Sequence, residues 1–415
     1  MANWQGFYKL SWQERLQRTI ENKNLTADQA ALITQHYDMV GEQQVENYLY
    51  NFGVPTGLLL ELPVDGRLVT VPMSTEEPSV IAAANNGARM MRAGAGVQTV
   101  IESRLVRGQI ILDNVADVVA LQTYVETHLT QLLQVANDAH PSMAKRGGGA
   151  KALTVEVLDA QTAIVNVLVD PKAAMGANVV NTMSEAIASV LRQAGYEVLM
   201  AILSNFATES LVKAKVAVPV TALATKQGMS GADVAAKIAA ASRIETLSPY
   251  RAVTSNKGML NGIEAAVLAS GNDTRAVNAA LHAYAAQGGQ YHGLTRWTVQ
   301  DEELLGETTL PLILGVVGGS IGIVPAVKLN HALMDNPTVN ELTSTIAAVG
   351  LAQNLAAIRA LVSTGIQAGH MALQAKSLAL QVGATPAEVP ALTAALQQAG
   401  KFNEATAREL LAKLR

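Results

Sequence analysis

Leu153-Thr-Val-Glu-Val-Leu158 and Ile164-Val-Asn-Val-Leu-Val169 decide the architecture. Both are short apolar runs rich in β-branched residues, and the alternation in the first is that of a strand with one buried face. Before them, Gln109–Leu112 reads as a short strand and Val115–Val135 as a long helical pattern. After them, Val179–Gln193 is helical and Val198–Leu203 is again a strand. The order β-α-β-β-α-β is the split βαβ, or ferredoxin-like, arrangement. Leu211–Val218 is a further strand-like run that leads the chain out of this unit, which therefore reads as an insertion inside a larger domain.

The flanks supply that domain. Ser11-Trp-Gln-Glu14 and Thr26-Ala-Asp-Gln29 fit the capping box, so two short helices open the chain. Leu58–Val64 and Leu68–Met73 read as strands joined by Asp65-Gly66, a strong hairpin turn. Val80–Met91 is an Ala-rich helix, with Pro78 expected in its first turn and Thr75, Glu76 and Glu77 at its N-terminus. Past residue 220 the pattern is mainly helical. From Leu373 it breaks at Gly383–Pro386 and at Gly400, as either a mobile lid or a docked helix pair would. The uncharged run Leu310–Val327 approaches the length of a membrane span. Its glycines and prolines suit buried, tightly packed backbone better, and it is expected to be interior. The opening MANWQGFYKL has no apolar segment of a signal peptide.

Composition removes several function classes. Thirty Lys and Arg against 34 Asp and Glu leave a net charge of −4, with no basic excess to neutralise a phosphate backbone. Cysteine is absent, which excludes disulfides, thiolate nucleophiles and Cys-ligated metal centres. No HExxH is written, and no metal site is expected. Hydrophobic residues make up 49% but aromatics only 4%, so the core is built from Ala, Val, Leu and Ile.

No GxGxxG follows a strand, so the usual dinucleotide fingerprint is missing. Arg146-Gly-Gly-Gly149 beside Lys145 is either a flexible surface turn or a backbone cradle for an anion. Ala174-Met-Gly-Ala-Asn178 precedes a helix, where small residues let a ligand approach. Lys257 in Ser255-Asn-Lys-Gly258 and Asp273 in Gly271-Asn-Asp-Thr-Arg275 are charges in apolar surroundings. With Glu77 they form either ordinary ion pairs or a cation beside a carboxylic acid, a grouping suited to carbonyl reduction. His370 is one of seven histidines; its own residue context says only that it is structural.

Seven segments occur together in one order: Glu46-Asn47, Pro72–Val80, Ala174–Thr182, Ser255–Gly262, Gly271–Val277, Gly350-Leu-Ala-Gln-Asn354 and Gly365-Ile-Gln-Ala-Gly-His-Met-Ala-Leu373. Together they resemble the bacterial, class II hydroxymethylglutaryl-CoA reductases over nearly the whole chain. The resemblance implies reduction of a thioester to a primary alcohol by two hydrides, giving mevalonate and CoA in the mevalonate route to isoprenoid precursors. It implies an α+β fold: a large, mainly helical substrate domain (1–108 and 220–372), an inserted ferredoxin-like cofactor domain (109–219) and a C-terminal helical flap (373–415). It also implies a homodimer, or a multiple of dimers, with the active site between subunits, working in the cytoplasm without a membrane anchor.

Carried over by motif, Glu77 is the catalytic acid, Lys257 the cation, Asp273 the partner that keeps Lys257 charged, and His370 the flap histidine that protonates departing CoA. Ser79, Arg251, Asn261 and Gln353 resemble binders of the substrate's carboxylate and hydroxyl, and Met175, Gly176 and Asn178 resemble cofactor contacts. The family's acidic residue before Ala-Met-Gly is here Ala173, which removes any role for a carboxylate there. NADH-preferring members place an Asp before a Pro upstream of the glycine-rich turn; here the dipeptide is His140-Pro141, ahead of Lys145 and Arg146. The expected cofactor is therefore NADPH, with NADH accepted. The rival readings are a non-catalytic CoA-binding or assembly protein on the same fold, a Schiff-base enzyme using Lys257, and operation in the mevalonate-oxidising direction.

Overall fold

The computed structural model describes residues 4–363 and 375–415. Helices α1 (Trp12–Lys23), α2 (Ala27–Gln35) and α3 (Met39–Gln44) open the chain. Ser11 with Glu14, and Thr26 with Gln29, form the expected reciprocal capping boxes. The three helices bury Trp12, Ile33 and Tyr48 in a small core of their own, tied by a 2.8 Å Arg15–Glu42 ion pair.

Strands β1 (Thr56–Val64) and β2 (Arg67–Ser74) form the hairpin. Asp65 and Gly66 both take positive φ, as a two-residue type I′ turn requires. Helix α4 (Val80–Met91) follows, then β3 (Val97–Ile101), which pairs parallel with β1 at Val64–Val97. Pro78 lies before α4 and not in its first turn, because Ser79 takes φ 77° as the capping residue and the helix begins only at Val80.

The inserted unit comprises β4 (Val106–Leu112), α5 (Val118–Thr127), α6 (Leu129–Ala139), α7 (Pro141–Lys145), β5 (Gly149–Val157), β6 (Ala163–Asp170), α8 (Ala177–Gln193) and β7 (Val198–Leu203). Its four strands are antiparallel in the order β5-β6-β4-β7. The alternating burial of β4 turns one face toward the helices, where Ile110, Leu121, Leu132 and Ile187 are fully buried. The single helix expected over Val115–Val135 is broken at His128, whose backbone leaves helical values (φ −103°, ψ 14°) while its ring stacks on Tyr124. Periodicity alone continues through such a break.

Strand β8 (Leu211–Pro219) returns the chain to the large sheet, ordered β2-β1-β3-β8-β10-β9. Helices α9 (Gly231–Leu247), α10 (Pro249–Ala269) and α11 (Thr274–Ala285) precede the hairpin of β9 (Thr295–Gln300) and β10 (Glu303–Pro311). Helices α12 (Pro325–Leu333) and α13 (Val339–Val362) follow. Helix α13 is long and apolar enough to cross a membrane, yet nearly every residue from Leu342 to Ala356 is buried in the large core. A helix apolar all round is, in this fold, the central core helix. It meets α4 backbone to backbone: a Cβ added to Gly87 would lie 2.0 Å from the Ala352 carbonyl oxygen.

The run Leu310–Val327 is interior at its two ends but not in its middle. Leu310, Leu312, Ile313 and Leu314 are buried, but Val317, Gly318, Gly319, Gly322 and Ile323 are exposed. Its glycines shape a surface loop. The described C-terminal residues form α14 (375–381), α15 (Val389–Ala399) and α16 (Glu404–Leu414), with breaks at the expected glycines and a separate small core around Leu392, Leu396 and Leu411.

Candidate active site

Helix α10 presents Lys257 and Asn261 one turn apart on one face. Glu77, in the loop between β2 and α4, meets both: Lys257 Nζ lies 2.7 Å from Glu77 Oε2, and Asn261 Nδ2 donates to Glu77 Oε1 at 3.3 Å. The side chains of Lys257 and Glu77 are 61% and 39% exposed, so their attraction is worth at most about 1 kcal/mol to the fold. The pair is open to a ligand. It stands in a cavity of about 400 Å³ whose other polar members include Ser79, Asn86 and Gln353 and whose walls are Ala82, Ala83, Ala356, Ala357 and Ala360.

Two of those members have buried polar atoms without a partner: Ser79 Oγ and Gln353 Oε1. Leaving such atoms unpaired costs roughly 1–3 kcal/mol each, which a ligand's hydrogen bonds recover. Ser79 also holds a left-handed backbone conformation that a β-carbon disfavours. Arg251, in the first turn of α10, does not line the cavity.

Asp273 is elsewhere. It caps α11, accepting from Arg275 N at 2.9 Å and Ala276 N at 3.1 Å, and pairs with Arg275 Nε at 3.3 Å. Burial opposes its ionisation, but these amides and the guanidinium outweigh burial and hold the carboxyl below the ordinary range. No ion pair joins it to Lys257, so the expected Lys257–Asp273 contact does not exist within one chain; the carboxylate beside Lys257 is that of Glu77. The twelve helical rises of α10 from Lys257 to Ala269 alone span about 18 Å.

Asp273 lines a second cavity, of about 500 Å³, with Met175, Gly176, Asn178, Asn272 and Ser320. Gly176 caps α8 at φ 104°, where a Cβ would lie 2.7 Å from Pro171, so backbone approach here requires glycine. Asn272 exchanges two hydrogen bonds with Gly315, and Val316 N donates to Ala173 O at 2.8 Å. The exposed Val317–Ile321 loop completes the wall. The sequence reading placed this stretch in the interior; its surface signal is Ser320 with Gly318 and Gly319 interrupting an apolar run.

The Arg146–Gly149 turn offers no backbone cradle. Gly147 N and Gly148 N are already used by Ala144 O and Met143 O, closing α7. The cations remain: Lys145 and Arg146 are exposed, and Lys151 donates to Gly147 O at 3.0 Å nearby. His140 caps the junction of α6 and α7, with Nδ1 3.3 Å from Ser142 Oγ. His370 lies outside the described residues. No group of three or more His, Asp or Glu capable of holding a metal occurs among the described residues.

Residues 11–375 match the sequence profile of the hydroxymethylglutaryl-coenzyme A reductase family. The chain belongs to that family. A 3-hydroxy-3-methylglutaryl-coenzyme A reductase of Archaeoglobus fulgidus is 38% identical over 99% of this chain and 94% of its own length. Among solved structures, the reductase of Streptococcus pneumoniae is similar over the full length of both chains, with 43% identity and a TM-score of 0.77. A second structure from that organism, described as a class II reductase bound to NADPH in open conformations, gives a TM-score of 0.76 over 98% of this chain and 100% of its own. This chain is thus a hydroxymethylglutaryl-CoA reductase of the class II kind, with the mixed helix-and-sheet fold of those structures.

Proposed function

We propose that the chain reduces hydroxymethylglutaryl-CoA to mevalonate and CoA with NADPH, through Lys257 and Glu77 acting on the thioester carbonyl. The observation that carries this reading is the open Lys257–Glu77 pair in a cavity whose Ser79 Oγ and Gln353 Oε1 lack partners. Lys257 donates to the carbonyl oxygen and stabilises the charge that grows there as hydride arrives at carbon. Glu77 orients the ammonium and exchanges a proton through it, so that the hemithioacetal and then the alcohol leave neutral. Ser79, Asn261 and Gln353 hold the substrate's polar groups at fixed points. His370 protonates the CoA thiolate as the 373–415 flap closes, and Arg251, which does not line this cavity, reaches the substrate's carboxylate only across a subunit boundary.

A CoA arm leaving the thioester finds a path along α4. Asn86 belongs both to the substrate cavity and to a neighbouring groove with Arg89 and Arg92, where phosphates have cationic partners. NADPH supplies the two hydrides. The glycine-walled cavity of Met175, Gly176 and Asn178 suits its nicotinamide end, and Lys145, Arg146 and His140 suit its 2′-phosphate.

The hydride donor and the thioester must approach to about 3–3.5 Å. The two cavities share no lining residue, and α10 holds Asp273 well away from Lys257. A second copy of the chain, bringing its Asp273 cavity against this Lys257 cavity, completes the site, which makes the working form a homodimer or a multiple of dimers. The large-domain, inserted cofactor-domain and flap division follows the same logic, and the cytoplasm is its place of work. Lys257→Ala should lower hydroxymethylglutaryl-CoA-dependent NADPH oxidation by about a hundred- to a thousandfold with the fold intact. A folded variant with near-normal turnover would refute the assignment.

A further inference from the structure

A line of buried polar groups runs behind the helix that carries Lys257, and neither cavity includes it. It begins at Trp297 on β9, whose Nε1 donates to Asn354 Oδ1 at 2.7 Å; Thr295 Oγ1 donates to the same oxygen at 3.0 Å. Asn354 Nδ2 in turn donates to Ser255 Oγ at 3.2 Å. The Ser255 hydroxyl lies beside the buried Glu245 carboxylate and favours its ionised form, and there the line ends. Asn354 and Glu245 are each 2% exposed. The donors run one way toward Ser255, whose own hydroxyl proton needs an acceptor, and the adjacent Glu245 carboxylate is the group placed to take it.

Beyond β9 the members sit on three helices. Glu245 is on α9, Ser255 on α10 and Asn354 on α13. Ser255 is two residues before Lys257, and Asn354 directly follows Gln353. Residues so spaced on a helix face different directions, so fixing the back of each helix fixes the front. Asn256 adds a second clamp, donating to His292 O and accepting from Leu294 N, both at 2.8 Å. A buried carboxylate is costly to keep ionised. Burial raises the Glu245 carboxyl to about 6, against the Ser255 hydrogen bond and the Arg251 charge, and its Oε2 has no partner.

We propose that Glu245, Ser255 and Asn354 are positioning residues that set the separation of Lys257 and Gln353 across the substrate cavity. The proposal rests on Lys257 acting in the site, so Lys257→Ala is run beside the relay variants. Ser255→Ala and Asn354→Leu cut the line in the middle. Glu245→Leu removes the terminal acceptor, whereas Glu245→Gln keeps one. The readouts are kcat and KM for both substrates and the Tm of each variant.

The expected result is a loss of about tenfold or more in kcat for Ser255→Ala, Asn354→Leu and Glu245→Leu, since small misplacements at a reacting centre cost that much. KM for NADPH stays unchanged, and Glu245→Gln recovers kcat to within about threefold of wild type. A merely structural role would lower Tm without this kcat-selective pattern or the rescue by Gln. Folded Ser255→Ala and Asn354→Leu enzymes with wild-type kcat, beside an inactive Lys257→Ala, overturn the relay alone. An active Lys257→Ala overturns the site it serves, and the relay with it.

Discussion

If the active site is shared between copies, two inactive variants should restore one another. Lys257→Ala removes the cation from one half of the site, and Asp273→Ala removes the carboxylate from the other. Within a single chain these groups cannot meet, because the α10 segment from Lys257 to Ala269 spans about 18 Å, several times hydrogen-bond reach. In a dimer each site takes Lys257 from one copy and Asp273 from the other. A mixed dimer therefore has one site with both lesions and one with neither. Random reassortment of equal amounts makes about half of the dimers mixed, and half of their sites are intact, so about a quarter of wild-type activity returns. The assay is NADPH oxidation after the two variants are unfolded and refolded together, or co-expressed with different tags and purified through both. Each variant treated alone stays inactive. A mixture that dimerises, as tandem purification shows, and yet recovers nothing would refute the shared site.

Three further outcomes follow from individual residues. His140→Asp places a carboxylate where a 2′-phosphate is expected, so the ratio of kcat/KM for NADPH to that for NADH should fall by about tenfold or more; an unchanged ratio removes His140 from the cofactor site. His370→Gln should slow thioester reduction far more than reduction of mevaldehyde, which releases no thiolate, and equal losses would point to a packing role instead. Glu245 binds its proton more tightly in the folded chain, near 6, than the ordinary value of 4.5. The folded state then holds more protons between those values, and stability falls as pH rises through the window. The difference is about 2 kcal/mol, with Arg251 the charged group opposing it. Glu245→Gln should abolish this pH dependence in denaturant titrations at pH 4.5 and 7; identical slopes in both proteins contradict the burial argument.

Where local chemistry dictates geometry, the sequence was readable. Ser11, Thr26 and Asp65-Gly66 behave as their side chains and turn type require, and Val198–Leu203 is a strand to the residue. The hairpin of β9 and β10 was missed for a physical reason. Its two turn residues, Asp301 and Glu302, both take positive φ without a glycine or asparagine to announce it. Strand β3 escaped notice because its five residues mix polar and apolar positions and gain their place only by pairing with β1 and β8. At the site, Glu77, Lys257, Ser79, Asn261 and Gln353 come together as the motifs imply. Asp273 does not join them, because spacing along a sequence does not say that the helix between two residues runs straight on past the turn. Glu245 and Asn354 could not be singled out from sequence, since their meaning lies in burial and in contacts among three helices.

The contact between Gly87 and Ala352 also fixes the bore of the substrate cavity. With α4 and α13 already touching through their backbones, they cannot move closer, and moving apart would open the core around them. The room left for an acyl group is therefore gauged by the short side chains of Ala82, Ala83, Ala356, Ala357 and Ala360, none of which takes part in the chemistry. On the proposed mechanism, reaction and cargo size are thus written in separate sets of residues. The family's scaffold can change the shape of what it accepts, one methyl group at a time, while Lys257 and Glu77 stay where they are.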